Sequence, residues 1–476
     1  MNFFKQVLAT IVGLTIFQII SLILFFIFIG ALVASVKTMR DGLASETVSV
    51  EDNSILVLDL AYDILERDAF SSFDFTDLNS FPKEKPGLQS IVNAIEYAKT
   101  DDRIKGIYLK SSVMPNGYAT VELLRTSLKD FQSSGKFVLA YGEMLDQKSF
   151  YLASAASELY VNPEGYIELR GIGAQLTFFK KLIEEKLEAE VQVFKVGDYK
   201  SAVEPFILDK MSDANREQLS YLLGGIKEDF VNNIATERGL SPDDFNTILN
   251  NLSALRPDSC AYFGLITGTS YYDEVLRNLK EKLELAEKED LNTIDVGDYA
   301  LATAKTSNSE NRIAVVYAEG DIVDGKGDES NIGGESFSKQ IRALRLDDDI
   351  DAIVLRINSP GGSALASEVM WRELELAKQV KPVVVSMGDL AASGGYYIAC
   401  NANRIFAEEN TITGSIGVFG LIPNLEKFLN NKIGVSFDEV LLNDHATSTG
   451  ITKKLDSFEA KVIQSSVDDI YATFTS

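Results

Sequence analysis

The chain has 476 residues, 46% of them hydrophobic, and a formal net charge of −25. That length supports two packed domains, and the charge excludes a nucleic-acid partner, which needs clustered Lys and Arg to neutralise phosphates. One histidine, His445, and two distant cysteines, Cys260 and Cys400, leave little from which to build a Ser-His-Asp triad, a disulfide framework or a metal centre, so no cofactor or metal is expected.

Residues 6–36 carry no charged side chain. About 20 apolar residues span a bilayer, and this run is longer than the core of a cleaved signal. It predicts an uncleaved anchor over residues 1–40, with a transmembrane helix at about 8–34. The short tail before it favours a single pass with the bulk of the chain outside.

Beyond the anchor the chain repeats itself. DRIKGIYLK (102–110) resembles DDIDAIVLR (348–356), an offset of 348 − 102 = 246, and FYLA (150–153) meets YYIA (396–399) at the same offset. Gly142 then falls on Gly388 and Gly171 on Gly417. Upstream, ILVLDLAYDI (55–64) faces IAVVYAEGDI (313–322) at an offset of 313 − 55 = 258, so the first copy has the longer loop. In each copy, strands alternate with helical patterns, which implies an α/β fold with a parallel sheet. IVLRI (353–357) reads as a buried strand by its continuous apolar run, residues 365–380 as an amphipathic helix, and VVVSM (383–387) as the next strand. The expected organisation is a first repeat over 50–278, a helix and linker over 279–310, and a second repeat over 311–476. The second copy stops earlier than the first and reads as truncated at its C-terminus.

Three stretches could carry chemistry. VGDYKSAVEPF (196–206) sets Lys200 between a turn and a proline, where most lysines are solvated. SPGGS (359–363) follows a strand and precedes a helix, so Gly361 and Gly362 can turn backbone N–H groups outward, or can be a turn and nothing more. GDLAASGGYYIA (388–399) puts Ser393 at a strand-to-helix corner at the carboxyl edge of the sheet, with Gly394 as an oxyanion donor. A harmless helix N-cap serine looks the same. The repeat sharpens the choice. Ser393 corresponds to Gln147, the SPGG glycines to Pro115 and Asn116, and Lys200 to Ala446, so each half holds one piece. A lysine whose pKa is lowered by burial can take a proton from serine. His445, beside Ala446, is the weaker alternative base, and beside Asp444 it reads as a surface residue.

SPGGS, AASGGYY, TGSIGVFG and VGDYKSAVEPF, in this order of halves, resemble the long tandem-repeat form of signal peptide peptidase A, the membrane-anchored protease IV of bacteria. The resemblance implies two ClpP/crotonase-like domains and a serine endopeptidase with Ser393 as nucleophile and Lys200 as general base. It implies that Ser415 holds the lysine and that Gly394 with Gly361 or Gly362 forms the oxyanion hole. Cleaved signal peptides and other apolar peptides become the expected substrates, on the outer side of the bacterial inner membrane. The N-terminal helix would then contact lipid. Repeated domains sharing one interface type favour closed rings, so a tetramer-like homo-oligomer is expected. The rival readings are a crotonase-type acyl-CoA enzyme and a non-enzymatic membrane scaffold.

Overall fold

Two parallel sheets, one in each half of the chain, put their strand ends toward a common junction. The computed structural model describes residues 49–70, 84–304, 309–328, 330–447 and 450–476, with Gln18, Ser21, Leu22 and Phe25 ahead of them. The expected anchor otherwise lies outside the described residues. Among those described, no helix is long and apolar enough to cross a membrane.

The first sheet runs Gly268–Thr269, Glu158–Ile167, Phe137–Leu145, Ile104–Ser111, Ser54–Asp59, Thr293–Asp295, every neighbour parallel. The second runs Ile313–Glu319, Ala352–Ser359, Val383–Ala392, Arg404–Phe406, with Ile412–Gly414 also paired to Val383–Ala392. The repeat register holds in three dimensions. Helix Tyr118–Gln132 of the first copy and helix Ala364–Lys378 of the second begin and end at matching positions, and π-helical turns recur at Leu182–Lys186 and Phe428–Ile433.

Hydrophobic spacing explains the layers. In the second copy Ile353, Leu355, Ile357, Val383, Val385 and Met387 pack against Phe337, Ile341, Met370 and Leu374 from the flanking helices. Strand Ala352–Ser359 alternates buried with half-buried residues rather than being buried throughout. Its opposite face is incompletely covered, with Ile313, Val315 and Phe406 about half exposed. In the first copy, that same face is covered by Val275, Leu279 and Leu283, which pack on Ile55, Val57, Tyr108 and Leu139.

Residues 279–310, expected as helix and linker, do more than connect. Thr293–Asp295 is the edge strand of the first sheet, and helix Val296–Thr303 follows it. Buried Ile294, Val296 and Tyr299 hold this stretch down, and the Tyr299 hydroxyl donates to Asp101 at 3.0 Å.

The copies are joined by a third, antiparallel ladder. Strand Glu190–Lys195 of the first copy pairs over its whole length with Phe419–Asn424 of the second. Arg356 of the second copy forks onto buried Glu66 of the first, with its Nε 2.8 Å from Oε2.

Candidate active site

That ladder delivers two loops to one place. Lys200 lies five residues past Lys195, and Ser415 four residues before Phe419, which is paired with Lys195. The Lys200 Nζ lies 3.3 Å from Ser393 Oγ, 3.0 Å from Ser415 Oγ and 3.1 Å from the Ser415 carbonyl oxygen, all within one chain. The Lys200 residue is 9% exposed. Burial penalises its ammonium and pulls its pKa below the ordinary lysine value. Its stem passes Gly417, where a Cβ would sit 3.1 Å from Lys200 Cδ. Sequence spacing does not reveal that need for a glycine.

The lysine loop is itself anchored. The buried Glu204 carboxylate accepts from the Ser212 N–H, the Ser212 hydroxyl and Asn215 Nδ2, at the start of helix Asp213–Arg238. Burial alone would raise this carboxyl, but the hydrogen bonds from Ser212 and Asn215 outweigh it and hold it below the usual range.

Ser393 sits where strand Val383–Ala392 turns into helix Gly394–Ala399. Its backbone is at φ 53°, ψ −118°, and its side chain caps nothing. A non-glycine residue there is strained, by about 1–3 kcal/mol. The fold holds it because the Ser393 N–H donates to Gly414 O and the turn is packed on both sides: a Cβ at Gly395 would lie 2.7 Å from Ser359 O. Ser415 is strained in the same sense, at φ 51°.

Facing the serine is the SPGGS loop. Gly361 and Gly362 both have positive φ, 94° and 154°. Ile322 donates to Gly361 O and accepts from the Ser363 N–H, which fixes the loop. The Gly361 N–H donates to Ser359 Oγ at 3.1 Å, and that hydroxyl donates to Gly320 O. The Gly361 N–H is therefore committed, and among the described residues the N–H groups of Gly362 and Gly394 have no acceptor. Gly362 N lies 3.2 Å from the site of a Cβ on Gly394, so the two glycines border one small space. The junction thus holds a nucleophile, a buried amine on its hydroxyl and two free donors, a set suited to acyl transfer.

His445 lies outside this cluster. It is exposed, hydrogen-bonds Glu459 at 2.8 Å and stacks on Phe458. With Asp456 and Glu459 it forms the one cluster of potential metal ligands among the described residues, but those acids form the capping box of helix Ser457–Thr475.

Residues 130–286 and 375–476 match Peptidase family S49. The chain is 38% identical over 401 residues to Protease 4 of Salmonella typhi, covering 82% of this chain and 64% of that one. It is 34% identical to Protease 4 of Haemophilus influenzae over 95% of this chain and 74% of that one. It is 35% identical to the chloroplastic serine protease SPPA of Arabidopsis thaliana over 79% of this chain and 56% of that one. The chain therefore spans between 56% and 74% of the length of these relatives. The match to a solved enoyl-CoA hydratase of Geobacillus kaustophilus covers 49% of this chain and 71% of that one, at 12% identity and a TM-score of 0.27. On the match of over half its residues, the chain belongs to Peptidase family S49.

Proposed function

We propose that the chain is a membrane-anchored endopeptidase that cuts apolar peptides, remnant signal peptides among them, with Ser393 as nucleophile and Lys200 as general base. The observation that carries this reading is the contact of a buried lysine with a strained serine, 3.3 Å apart. In its neutral form the amine gives its two N–H groups to the Ser415 hydroxyl and carbonyl, and its lone pair accepts the Ser393 proton. Ser393 Oγ then bonds to the peptide carbonyl carbon, and the oxyanion receives the N–H groups of Gly362 and Gly394. Each such donor is worth about 3 kcal/mol to the transition state. As the C–N bond breaks, Lys200 passes its proton to the leaving amine. Water, deprotonated by the same lysine, releases the acyl group. Gly361 supports the hole through Ser359 and is not itself a donor in this scheme.

Both halves are read as ClpP/crotonase-like repeats on the strength of their parallel sheets and matched helices. The uncharged run 6–36 supports anchorage in the bacterial inner membrane with the site outside. Assembly into a homo-oligomeric ring has support in the repeat. The first-copy counterpart of Phe419–Asn424 is 173–178, and the second-copy counterpart of Glu190–Lys195 is 436–441. Neither is in a strand, and Val440 within the second is 87% exposed. In a ring, one chain's 436–441 would pair with the next chain's 173–178 as Glu190–Lys195 pairs with Phe419–Asn424 within the chain.

The test is Ser393→Ala with a serine-reactive fluorophosphonate and an apolar fluorogenic peptide. Wild type should be labelled within 388–400 and cleave the peptide, and the variant should do neither. Full turnover by Ser393→Ala ends the proposal.

A further inference from the structure

Ser393 and Lys200 come from different copies, so their contact depends on how firmly the copies are held in register. On the lysine side the antiparallel ladder does this. On the serine side the Arg356–Glu66 fork holds the middle of the serine-bearing strand through Ser386 and Met387, and one carboxylate ties it closer to Ser393. Asp389 lies four residues before Ser393 on strand Val383–Ala392. Its Oδ2 accepts from the Gly117 N–H at 2.9 Å and the Thr120 hydroxyl at 2.8 Å, and its Oδ1 accepts from the Thr120 N–H at 2.8 Å. Those groups open helix Tyr118–Gln132 of the first copy.

That helix has no cap of its own, because Gly117 occupies the N-cap position. In the second copy the matching residue is Ser363, whose hydroxyl accepts from the Ala366 N–H and caps its own helix. The first copy lacks that hydroxyl, and a residue of the other copy replaces it. The space is shaped for the carboxylate, since a Cβ at Gly117 would stand 2.5 Å from Asp389 Cγ. The exchange is one-sided: the first-copy counterpart of Asp389 is Glu143, which is exposed.

We propose that Asp389 is a positioning residue of the active site, fixing the end of the serine-bearing strand to the copy that carries Lys200. The residues after it transmit the constraint. Leu390, Ala391 and Ala392 pair with Ile412, Thr413 and Gly414, and the Ser393 N–H donates to Gly414 O. Any movement of Asp389 therefore carries Ser393 and Ser415 together, relative to Lys200. A carboxylate suits the role because it accepts all three donors and sits at the positive end of a helix. An asparagine would turn an N–H toward an N–H.

The inference rests on the Ser393–Lys200 reading, and its test separates the two. Asp389→Ala, Asp389→Asn and Gly117→Ser are made in the full chain, with Ser393→Ala as control. The readouts are the rate of fluorophosphonate labelling, kcat and KM for a fluorogenic apolar peptide, and the pH midpoint of activity, per site labelled at end point for the Asp389 and Gly117 variants and per chain for Ser393→Ala. Normalising to labelled sites removes any fraction that fails to fold.

Asp389→Ala should lower kcat and labelling rate about ten- to a hundredfold, the scale of a 1 Å misplacement, with KM little changed. Its pH midpoint should move up as water reaches Lys200. Asp389→Asn should fall in the same direction. Gly117→Ser gives the helix a hydroxyl cap yet wedges a Cβ against Asp389, so it should lose activity although the helix is capped. Wild-type kcat in Gly117→Ser, or an unmoved pH midpoint with wild-type kcat in Asp389→Ala, reduces Asp389 to a helix cap and overturns the proposal. Turnover by Ser393→Ala would instead overturn the dyad itself.

Discussion

At position 393 a serine stands at positive φ with its hydroxyl on a lysine. At the matching position 147 a glutamine begins an ordinary helical turn capped by Asp146. Its side-chain oxygen accepts from the Arg170 and Gly171 N–H groups, and its nitrogen donates to Gly171 O and the Tyr118 hydroxyl. Next to it, Lys148 replaces Gly394, and its ammonium donates to the carbonyls of Pro115 and Asn116, the counterparts of Gly361 and Gly362. The bridge that Gly361 and Ser363 make to Ile322 is made in the first copy by a side chain. Asn116 Oδ1 accepts from Ile64 N–H at 3.1 Å, and its Nδ2 donates to Ile64 O at 2.8 Å. One backbone frame therefore supports two end states. Where free donors and strain are kept, chemistry is available. Where side chains fill the same places, their own donors and acceptors are spent on the fold.

The largest effect should come from breaking the contrast at its centre. Lys200→Ala should reduce turnover to background, and Lys200→Arg should not restore it, since a guanidinium stays protonated. Mixing Ser393→Ala chains with Lys200→Ala chains should stay inactive after exchange, because the pair lies within one chain. Recovery of peptide cleavage in the mixture would mean that neighbouring chains complete the site. Next in size is Gly394→Ala, a small step toward the filled first copy. Its Cβ would meet Ser367 Oγ at 2.5 Å and crowd the Gly362 N–H. A loss of about a hundredfold in kcat is expected, the scale of removing one oxyanion donor, and a variant with wild-type kcat would take Gly394 out of the hole.

The pH profile sharpens the comparison further. Burial lowers the Lys200 pKa, so the neutral base is regained at a pH below that of a free lysine, and activity should rise with pH through that lowered value. The stability linkage has the same sign. In the window between the lowered and the ordinary value the unfolded chain binds more protons, so stability also rises with pH there. A rate profile flat across this window would exclude Lys200 as the base.

How much of the site is legible in the sequence differs by residue. The 246 offset fixes helix Ala364–Lys378 from helix Tyr118–Gln132, and small residues around Ser393 and the turn before Lys200 mark both loops. Those signals are local. Asp389 and Ser359 carry none, because their meaning depends on partners. Asp389 reaches 272 residues back to Gly117, and Ser359 reaches 39 back to Gly320. Strand Ala352–Ser359 was equally opaque: a continuous apolar run says that both faces can be buried, and only tertiary packing decides that one is half open. Residues 279–310 look charged and linker-like, and only pairing with Ser54–Asp59 makes Thr293–Asp295 a strand.

The smallest expected effect on activity tests whether the first-copy pocket is purely structural. Asn116 is buried, and its amide supplies both hydrogen bonds to the Ile64 backbone. Replacing it with Ala leaves the N–H and the carbonyl of buried Ile64 without those partners. Each such group costs about 1–3 kcal/mol, so Asn116→Ala should unfold at clearly lower denaturant concentration. Lys148 would still hold the carbonyl of residue 116, so the loop keeps one tie. In the proposed mechanism the oxyanion donors are Gly362 and Gly394 of the other copy, so kcat per labelled site should be unchanged. If kcat falls while the unfolding midpoint stays put, the closed copy takes part in turnover, and the division between a working half and a structural half is wrong.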